Sequence, residues 1–280
     1  MGFEAKRLCK LALGPVLLLM SVLAMAAGGE VSEYNMAPGV TAVGREIFDL
    51  HMVILWICVV IGVGVFSVMF WSILHHRKSK GAVAAKFHES HTVEMVWTVI
   101  PFVILIAMAI PATKTLIKME DTRGAEITLK VTAYQWMWHY EYLEDGVSFY
   151  SKLAAESNAA RRTGSGVDVT TIPNYLLDVD NAVVLPVNTK VRIVLTANDV
   201  IHAWWVPEIG GKKDAIPGYI NEMWTLIETP GTYRGQCAEL CGKDHGFMPI
   251  VVKAVSPEEY KQWVAAQKAA TAPVTQSASL

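Results

Sequence analysis

The sequence predicts a two-helix transmembrane hairpin followed by an exported all-β domain, built as a barrel or a sandwich. Hydrophobic residues make up 52% of the 280 residues and charged residues only 18%, whereas soluble domains are about one quarter charged. Long apolar stretches lie before residue 114, and short alternating segments follow from residue 126. The net charge of −2 indicates no basic surface, so nucleic acid is not expected as a partner.

Residues 1–26 have the pattern of a cleaved secretory signal peptide. Basic residues precede the apolar run 11–23, and small residues follow it at 24–26. The mature chain then begins with an exported segment, 27–49. A retained membrane anchor is the alternative, but the apolar run is shorter than the ~20 residues that a spanning helix needs.

Residues 50–76 and 93–113 are predicted to span the membrane, because each can cross a hydrocarbon core about 30 Å thick. Buried helices of a soluble protein are the alternative. The loop 77–92 carries Arg77, Lys78, Lys80 and Lys86 against Glu89 alone. By the positive-inside rule this loop is cytoplasmic, which leaves residues 114–270 exported. We therefore expect a multi-pass protein of the bacterial inner membrane, in contact with lipid.

The exported region alternates in the manner of short strands separated by turns. The predicted strands are 126–133, 136–142, 147–151, 182–187, 190–197, 202–206, 223–228, 232–236 and 250–255. Residues 151–171 are predicted to be a surface excursion. A capping sequence at 256–259 predicts a helix over 260–269, and residues 271–280 are expected to form a flexible tail.

Four side chains that suit soft metals lie within twelve residues: Cys237, Cys241, His245 and Met248. His202 precedes Cys237 by 35 positions, at the edge of a predicted strand. Thiol, thioether and imidazole together favour copper over magnesium or calcium. A structural disulfide, a structural zinc site and a core role for Met248 are the alternatives. None of these explains all five side chains.

Several strings of this sequence resemble subunit II of the haem–copper cytochrome c oxidases. They are GQCAELCGKDHGFMPIVVKAV, NDVIHAWWVP, YQWMWHYEY and VEMVWTVIP. The resemblance covers about residues 33–264 and includes the order of the motifs. It implies a cupredoxin-like β-barrel fold for the exported domain, with a dinuclear copper centre, CuA.

The resemblance also implies a role for each donor in that centre. Cys237 and Cys241 would bridge both coppers, and His202 and His245 would each bind one. Met248 and the backbone carbonyl of Glu239 would be the weak axial ligands.

Further roles follow from the same resemblance. The Glu239 side chain would bind magnesium or manganese at the contact with subunit I; a plain surface glutamate is the alternative. Trp136 would accept the electron from cytochrome c, with core packing as the alternative. Glu141, Asp180 and Asp199 would dock that cytochrome. Glu94 would mark the entrance of the K proton pathway, or would simply stabilise a helix N-terminus.

The implied function is electron transfer from cytochrome c through copper to haem in subunit I, which supports oxygen reduction and proton pumping. Subunit I, and subunit III with it, would be partners. No C-x-x-C-H motif occurs, so no covalent haem is expected in this chain. A tethered copper chaperone or thiol oxidoreductase is the competing class, expected on a thioredoxin-like framework. A quinol oxidase subunit II would lack the copper ligands, and a soluble nitrous-oxide reductase would lack the hairpin.

Overall fold

A computed structural model describes residues 35–84, 86 and 88–271. The predicted signal peptide and residues 272–280 of the predicted tail lie outside this range. Two long helices come first, α1 (Ala42–His75) and α2 (His91–Met119). Each contains an uncharged window long and apolar enough to cross a membrane.

Both helices extend beyond the apolar stretches from which they were predicted. α1 begins at Ala42 rather than near residue 50, because the Thr41 side chain caps it by accepting a hydrogen bond of 2.8 Å from the amide of Gly44. α2 continues past residue 113 to Met119. The predicted boundaries followed hydropathy alone, whereas the helices continue into polar sequence that contacts the β-domain.

The exported region forms a sandwich of two five-stranded sheets. Its strands are β1 (Ile127–Tyr134), β2 (Met137–Tyr142), β3 (Val147–Ser151), β4 (Val183–Pro186), β5 (Val191–Ala197), β6 (His202–Trp205), β7 (Lys212–Ala215), β8 (Asn221–Thr225), β9 (Gly231–Cys237) and β10 (Pro249–Val255). The sheet orders are β3-β2-β1-β5-β8 and β4-β10-β9-β6-β7. A short helix, α3 (Ala155–Ala160), and a C-terminal helix, α4 (Pro257–Thr271), complete the domain.

Strand pairing is mixed in both sheets. β1 runs antiparallel to β2 and parallel to β5. In the second sheet β10 runs antiparallel to β9 and parallel to β4, and β6 is antiparallel to both β9 and β7. The predicted class, a two-helix hairpin with an all-β domain, is confirmed.

The core lies between the two sheets and follows the period-two pattern of the strands. On β2, Trp138, Tyr140 and Tyr142 are at most 1% exposed, while the residues between them are half-buried. α4 covers one end of the core with Tyr260 and Val264. Removal of this apolar area from water is the main driving force for the domain to fold.

Two features differ from the predicted elements. β7 was not predicted, because Lys-Lys-Asp-Ala has no apolar alternation; it forms by pairing with β6. The excursion 151–171 contains α3, whose Ser157 and Ala160 are buried. An antiparallel bridge between Leu153 and Val179 closes the base of the excursion.

The top of the hairpin packs against the β-domain through close backbone contacts. The amide of Val40 donates to the carbonyl of Glu208 over 2.8 Å, and Thr41 Oγ1 donates to the carbonyl of Ile209 over 3.0 Å. Arg45 forms an ion pair with Glu228, in which Nη2 donates to both carboxylate oxygens, over 2.8 and 3.0 Å. From α2, the carbonyl of Lys118 accepts a hydrogen bond of 3.0 Å from Trp224 Nε1.

Candidate metal centre

The sheet that contains β6, β9 and β10 brings the predicted donors together. Cys237 is the last residue of β9 and His202 the first of β6, and these two strands are paired. Residues 238–248, here called the metal loop, connect β9 to β10. The amide of Cys237 donates to the carbonyl of Met248 over 3.3 Å, so the two ends of the loop are joined. Strand pairing therefore sets the positions of the outer donors.

The five predicted side-chain donors lie together: the two cysteine sulfurs are 3.8 Å apart, and the other three donors surround them. Cys237 Sγ lies 3.8 Å from His202 Nδ1 and 3.3 Å from the carbonyl oxygen of Glu239. Cys241 Sγ lies 3.6 Å from His245 Nδ1 and 3.6 Å from Met248 Sδ. Each sulfur thus faces one imidazole and one weaker donor.

The distances separate the alternatives raised by the sequence. Both cysteines are free, and a disulfide would bring their sulfurs to about 2.05 Å. Met248 is 1% exposed, as a core residue would be, yet its sulfur faces Cys241. Zinc sites do not use a thioether, whereas soft copper sites do. The donor set therefore fits copper.

Burial shields the centre from water. His202, Cys237, Cys241 and Met248 are at most 6% exposed, and His245 is half-buried. His202, Cys237 and Cys241 form a group whose ligand atoms all lie within 4.8 Å of one another. A buried thiolate pair of this kind requires cationic charge nearby.

The two thiols differ in acidity. Burial raises the pKa of Cys237, but hydrogen bonds from His202 and from backbone groups outweigh it and lower the pKa to about 7. Burial and the neighbouring Cys237 raise the pKa of Cys241 to about 12. Without a metal, Cys237 is therefore about half ionised at pH 7 and Cys241 remains protonated, and binding of cations would displace the remaining thiol protons.

Asp199 holds His202 from the side away from the sulfurs. Its Oδ1 lies 3.0 Å from His202 Nε2, and its Oδ2 accepts a hydrogen bond of 2.8 Å from the amide of Gln135. Burial opposes the charged form of His202, but hydrogen bonds to Cys237 and Asp199 outweigh it and raise the pKa of the imidazole. Sequence reasoning predicted Asp199 only as a docking acid; the D-x-x-H spacing carried the signal for this contact.

The β1–β2 turn holds the metal loop from the other side. Trp136 Nε1 and Gln135 Nε2 both donate to the carbonyl of Cys241, over 3.2 and 2.8 Å. The turn packs closely on Gly242, where an added Cβ would lie 3.1 Å from Trp136 Cζ2 and the backbone φ is +121°. Half-buried Trp136 is thus hydrogen-bonded directly to a cysteine of the centre. Sequence reasoning did not single out Gln135.

Other predicted residues lie away from the sulfurs. The Glu239 side chain is exposed. Glu141 pairs with Lys130 at 2.6 Å, and Asp180 accepts a hydrogen bond of 2.8 Å from the amide of Lys152. Glu94 lies in the first turn of α2, where its carboxylate accepts a hydrogen bond of 3.3 Å from the amide of Ser90. That contact supports the helix N-terminus.

Comparison with known proteins gives the family. The family model described as the cytochrome c oxidase subunit II periplasmic domain matches residues 127–255, and the model of its transmembrane domain matches residues 29–115. A probable cytochrome c oxidase subunit 2 of Rickettsia conorii is 39% identical over 233 residues, which cover 82% of this chain and 70% of the relative. The chain belongs to the cytochrome c oxidase subunit II family. The prediction made from the motifs, that this is a subunit of the oxidase, is confirmed.

The family includes relatives from mitochondria and solved structures. The mitochondrial cytochrome c oxidase subunit 2 of Glycine max is 39% identical, over 81% of this chain and 57% of the relative. A crystal structure of the periplasmic domain of subunit II from Bradyrhizobium japonicum is 39% identical, with a TM-score of 0.46, and covers 53% of this chain and 98% of that one. A chain in a crystal structure of the mixed disulfide intermediate between a thioredoxin-like protein and subunit II of cytochrome c oxidase is 38% identical to this chain. Its TM-score is 0.42, and the match covers 54% of this chain and 97% of that one.

Proposed function

We propose that this subunit II accepts electrons from reduced cytochrome c at a dinuclear copper centre and passes them to haem in subunit I. One observation carries the proposal: two buried cysteine sulfurs 3.8 Å apart each face an imidazole nitrogen and a weaker donor. A site for one metal ion does not need two such groups of donors, each made of a sulfur, an imidazole and a weaker donor. A tethered chaperone or thiol oxidoreductase would be expected on a thioredoxin-like framework, whereas this domain is a two-sheet sandwich.

The chain's own residues prepare the centre for electron transfer. Cys237, Cys241, His202, His245, Met248 and the backbone carbonyl of Glu239 would hold the copper pair. When bound, the copper pair supplies a one-electron couple spread over both ions. The protein fixes the positions of these donors, because His202 and Cys237 belong to paired strands and the backbone of Met248 is hydrogen-bonded to that of Cys237. Fixed donors keep small the rearrangement that accompanies each transfer.

Trp136 is the proposed route by which electrons reach the centre. Its indole donates a hydrogen bond to the carbonyl of Cys241, which gives a short connection from the half-buried ring to a residue that would hold the copper. Glu141, Asp180 and Asp199 are proposed to attract a basic cytochrome, although each also has an intramolecular partner. Long-range attraction of this kind would raise the association rate and weaken with added salt.

The remaining assignments concern subunit I and the membrane. The exposed Glu239 side chain offers hard oxygens for magnesium or manganese at the contact with subunit I. Glu94 is proposed at the entrance of the K proton pathway. Subunit III would complete the complex, and no haem would bind to this chain. Two helices able to span a membrane and a basic connecting loop fit a bacterial inner membrane, with the β-domain on the periplasmic side.

The test is copper analysis and electron paramagnetic resonance of the purified complex. We expect two coppers in this chain and a signal from one electron shared between them. Cys237→Ser should abolish the shared signal, whereas Cys58→Ser should preserve it, because Cys58 is exposed on α1 outside the centre. A signal from isolated single coppers in the unaltered chain would contradict the dinuclear assignment.

A further inference from the structure

We infer that Arg161 is a positioning residue of the copper centre, because it fixes the part of the metal loop that carries His245 and leads to Met248. The inference rests on the proposed copper function and extends it to the surface excursion 151–171, for which sequence reasoning gave no role. Arg161 directly follows α3 in this excursion.

The guanidinium of Arg161 contacts three side chains. Its Nη1 and Nη2 lie 3.2 and 3.3 Å from the two carboxylate oxygens of Asp244. Among side chains, only arginine provides this bidentate geometry. Its Nε donates to Asn158 Oδ1 over 2.8 Å. Its Cζ lies 4.1 Å above the ring of Phe247. The Arg161 and Asp244 side chains are 23% and 25% exposed, so solvent screens this pair only in part.

Arg161 is itself held by a closed segment of the β-domain. The amide of Ala154 donates to the carbonyl of Asp178 over 3.0 Å, next to the bridge that closes the excursion. Ser157, 1% exposed, accepts a hydrogen bond of 3.2 Å from the amide of Leu176. The start and the middle of α3 are therefore hydrogen-bonded to residues 176–178, and Arg161, which follows α3, can act as a fixed point for the loop.

The two residues of the metal loop that Arg161 contacts are neighbours of the donors. Asp244 directly precedes His245, and Phe247 directly precedes Met248. Backbone bonds in this stretch are local: the amide of His245 donates to Gly242 over 3.2 Å, and that of Phe247 donates to Asp244 over 2.9 Å. Arg161 adds a contact from a distant part of the sequence. Gln135 and Trp136 bind the carbonyl of Cys241, so the loop is held from two sides.

The test uses the full chain in the purified oxidase and, in detergent, the copper-free full chain. Arg161→Gln removes both the positive charge and the bidentate contact with Asp244, whereas Arg161→Lys retains the charge and loses the bidentate contact. Arg162→Gln is the matched control, because in the described part of the chain the neighbouring Arg162 side chain is exposed and has no ion pair. The readouts are amide hydrogen exchange over residues 242–248 in the copper-free chain, and the paramagnetic resonance spectrum and reduction potential of the copper-loaded complex.

We expect Arg161→Gln to speed exchange over residues 242–248 about fivefold, as loss of one partly screened ion pair would. It should also alter the copper spectrum and the potential. Arg161→Lys should restore neither spectrum nor exchange fully, and Arg162→Gln should match the unaltered chain. Adding Asp244→Asn to Arg161→Gln should cause little further change, because both substitutions remove the same contact.

The inference is overturned if Arg161→Gln and Arg162→Gln give the same exchange and the same spectrum. If Arg161→Gln does not accumulate, Arg161→Lys and Asp244→Asn alone provide the comparison. Failure of the copper proposal gives a different result: the unaltered chain then lacks the shared-electron signal. The exchange measurement on the copper-free chain still tests the contact in that case.

Discussion

The Nε2 atom of His202 lies 3.0 Å from Oδ1 of Asp199, while the other ring nitrogen, Nδ1, faces the sulfur of Cys237 at 3.8 Å. A carboxylate in this position accepts a hydrogen bond from Nε2–H, which favours the neutral tautomer whose Nδ1 lone pair is directed at the centre. Carboxylates commonly orient metal-binding histidines in this way. Asp199 thus has a structural reason for its position that is independent of cytochrome docking.

Asp199→Asn should weaken copper binding. The asparagine side chain has a single oxygen, which is a poorer acceptor and cannot serve both the imidazole N–H of His202 and the backbone N–H of Gln135. Loss of such a partner typically costs about 10–100-fold in metal affinity. The measurement is copper retention against a chelator in the purified complex. Asp180→Asn is the control, since the Asp180 carboxylate accepts a hydrogen bond from the backbone amide of Lys152 and not from a donor of the centre. If Asp199 acts in docking alone, both variants will slow reduction by cytochrome c and retain copper equally.

The two thiols should react with different pH dependence in the copper-free chain. Only a thiolate is alkylated, and the pKa of Cys237 is about 7 whereas that of Cys241 is about 12. Alkylation of Cys237 should therefore rise as the pH increases through 7 and then level off, while Cys241 stays slow up to pH 9. Mass spectrometry of a Cys58→Ser chain resolves the two sites. His202→Asn should shift the Cys237 profile to higher pH; equal profiles for both thiols would contradict the assignment.

Met248→Leu should keep both coppers and change the reduction potential. Leucine fills nearly the same volume at this fully buried position, so the free energy of unfolding should fall by less than about 1.5 kcal/mol. The thioether 3.6 Å from Cys241 Sγ is lost, which removes one weak donor. Potentiometry checks the shift, and Met223→Leu, a buried methionine on β8, is the control for packing. An unchanged potential would assign Met248 to the core alone.

Trp136→Phe and Trp136→Ala should separate the ring from its hydrogen bond. Both remove the donor to the carbonyl of Cys241, but phenylalanine keeps an aromatic ring against Gly242. We expect Trp136→Ala to slow reduction by cytochrome c at least tenfold, a barrier increase of about 1.4 kcal/mol. Stopped-flow kinetics measure this. The copper spectrum should be retained, because Gln135 still donates to the same carbonyl of Cys241 over 2.8 Å. Trp205→Ala on β6, also partly exposed, is the control; equal slowing in both variants would remove Trp136 from the route.

Much of the fold and centre could be predicted from local sequence pattern. Hydropathy located the two helices, and alternation located most strands, because each depends on which side of an element is apolar. The donors could be proposed because their side chains are chemically distinctive. β7 could not, since its Lys-Lys-Asp-Ala strand depends on pairing with β6 rather than on its own pattern.

The residues that hold the centre were also beyond local pattern. Arg161 meets Asp244 across 83 positions, and Gln135 meets Cys241 across 106. Arginine and glutamine are ordinary surface residues, so neither type marks such a contact in the sequence. The family resemblance assigned Asp199 to docking, whereas its contact with His202 depends on the β6 end of the sheet. Contacts between distant segments therefore account for what sequence reasoning missed.

The contact between α1 and the β-domain can be tested with two matched glycines. Gly210 and Gly218 both have φ of +72°, so alanine is strained by a similar amount at each. An added Cβ at Gly210 would lie 2.9 Å from Gly44 Cα, whereas at Gly218 it meets no described atom within 4 Å. We expect Gly210→Ala to lower the free energy of unfolding by about 1–3 kcal/mol more than Gly218→Ala, as overpacking does. Thermal unfolding in detergent measures this difference.

Gly210→Ala should also slow electron transfer to the haem of subunit I, because α1 is displaced from the β-domain that carries the proposed copper centre. Equal stability and equal transfer in both variants would show that the close contact at Gly44 does not fix the domain on the hairpin.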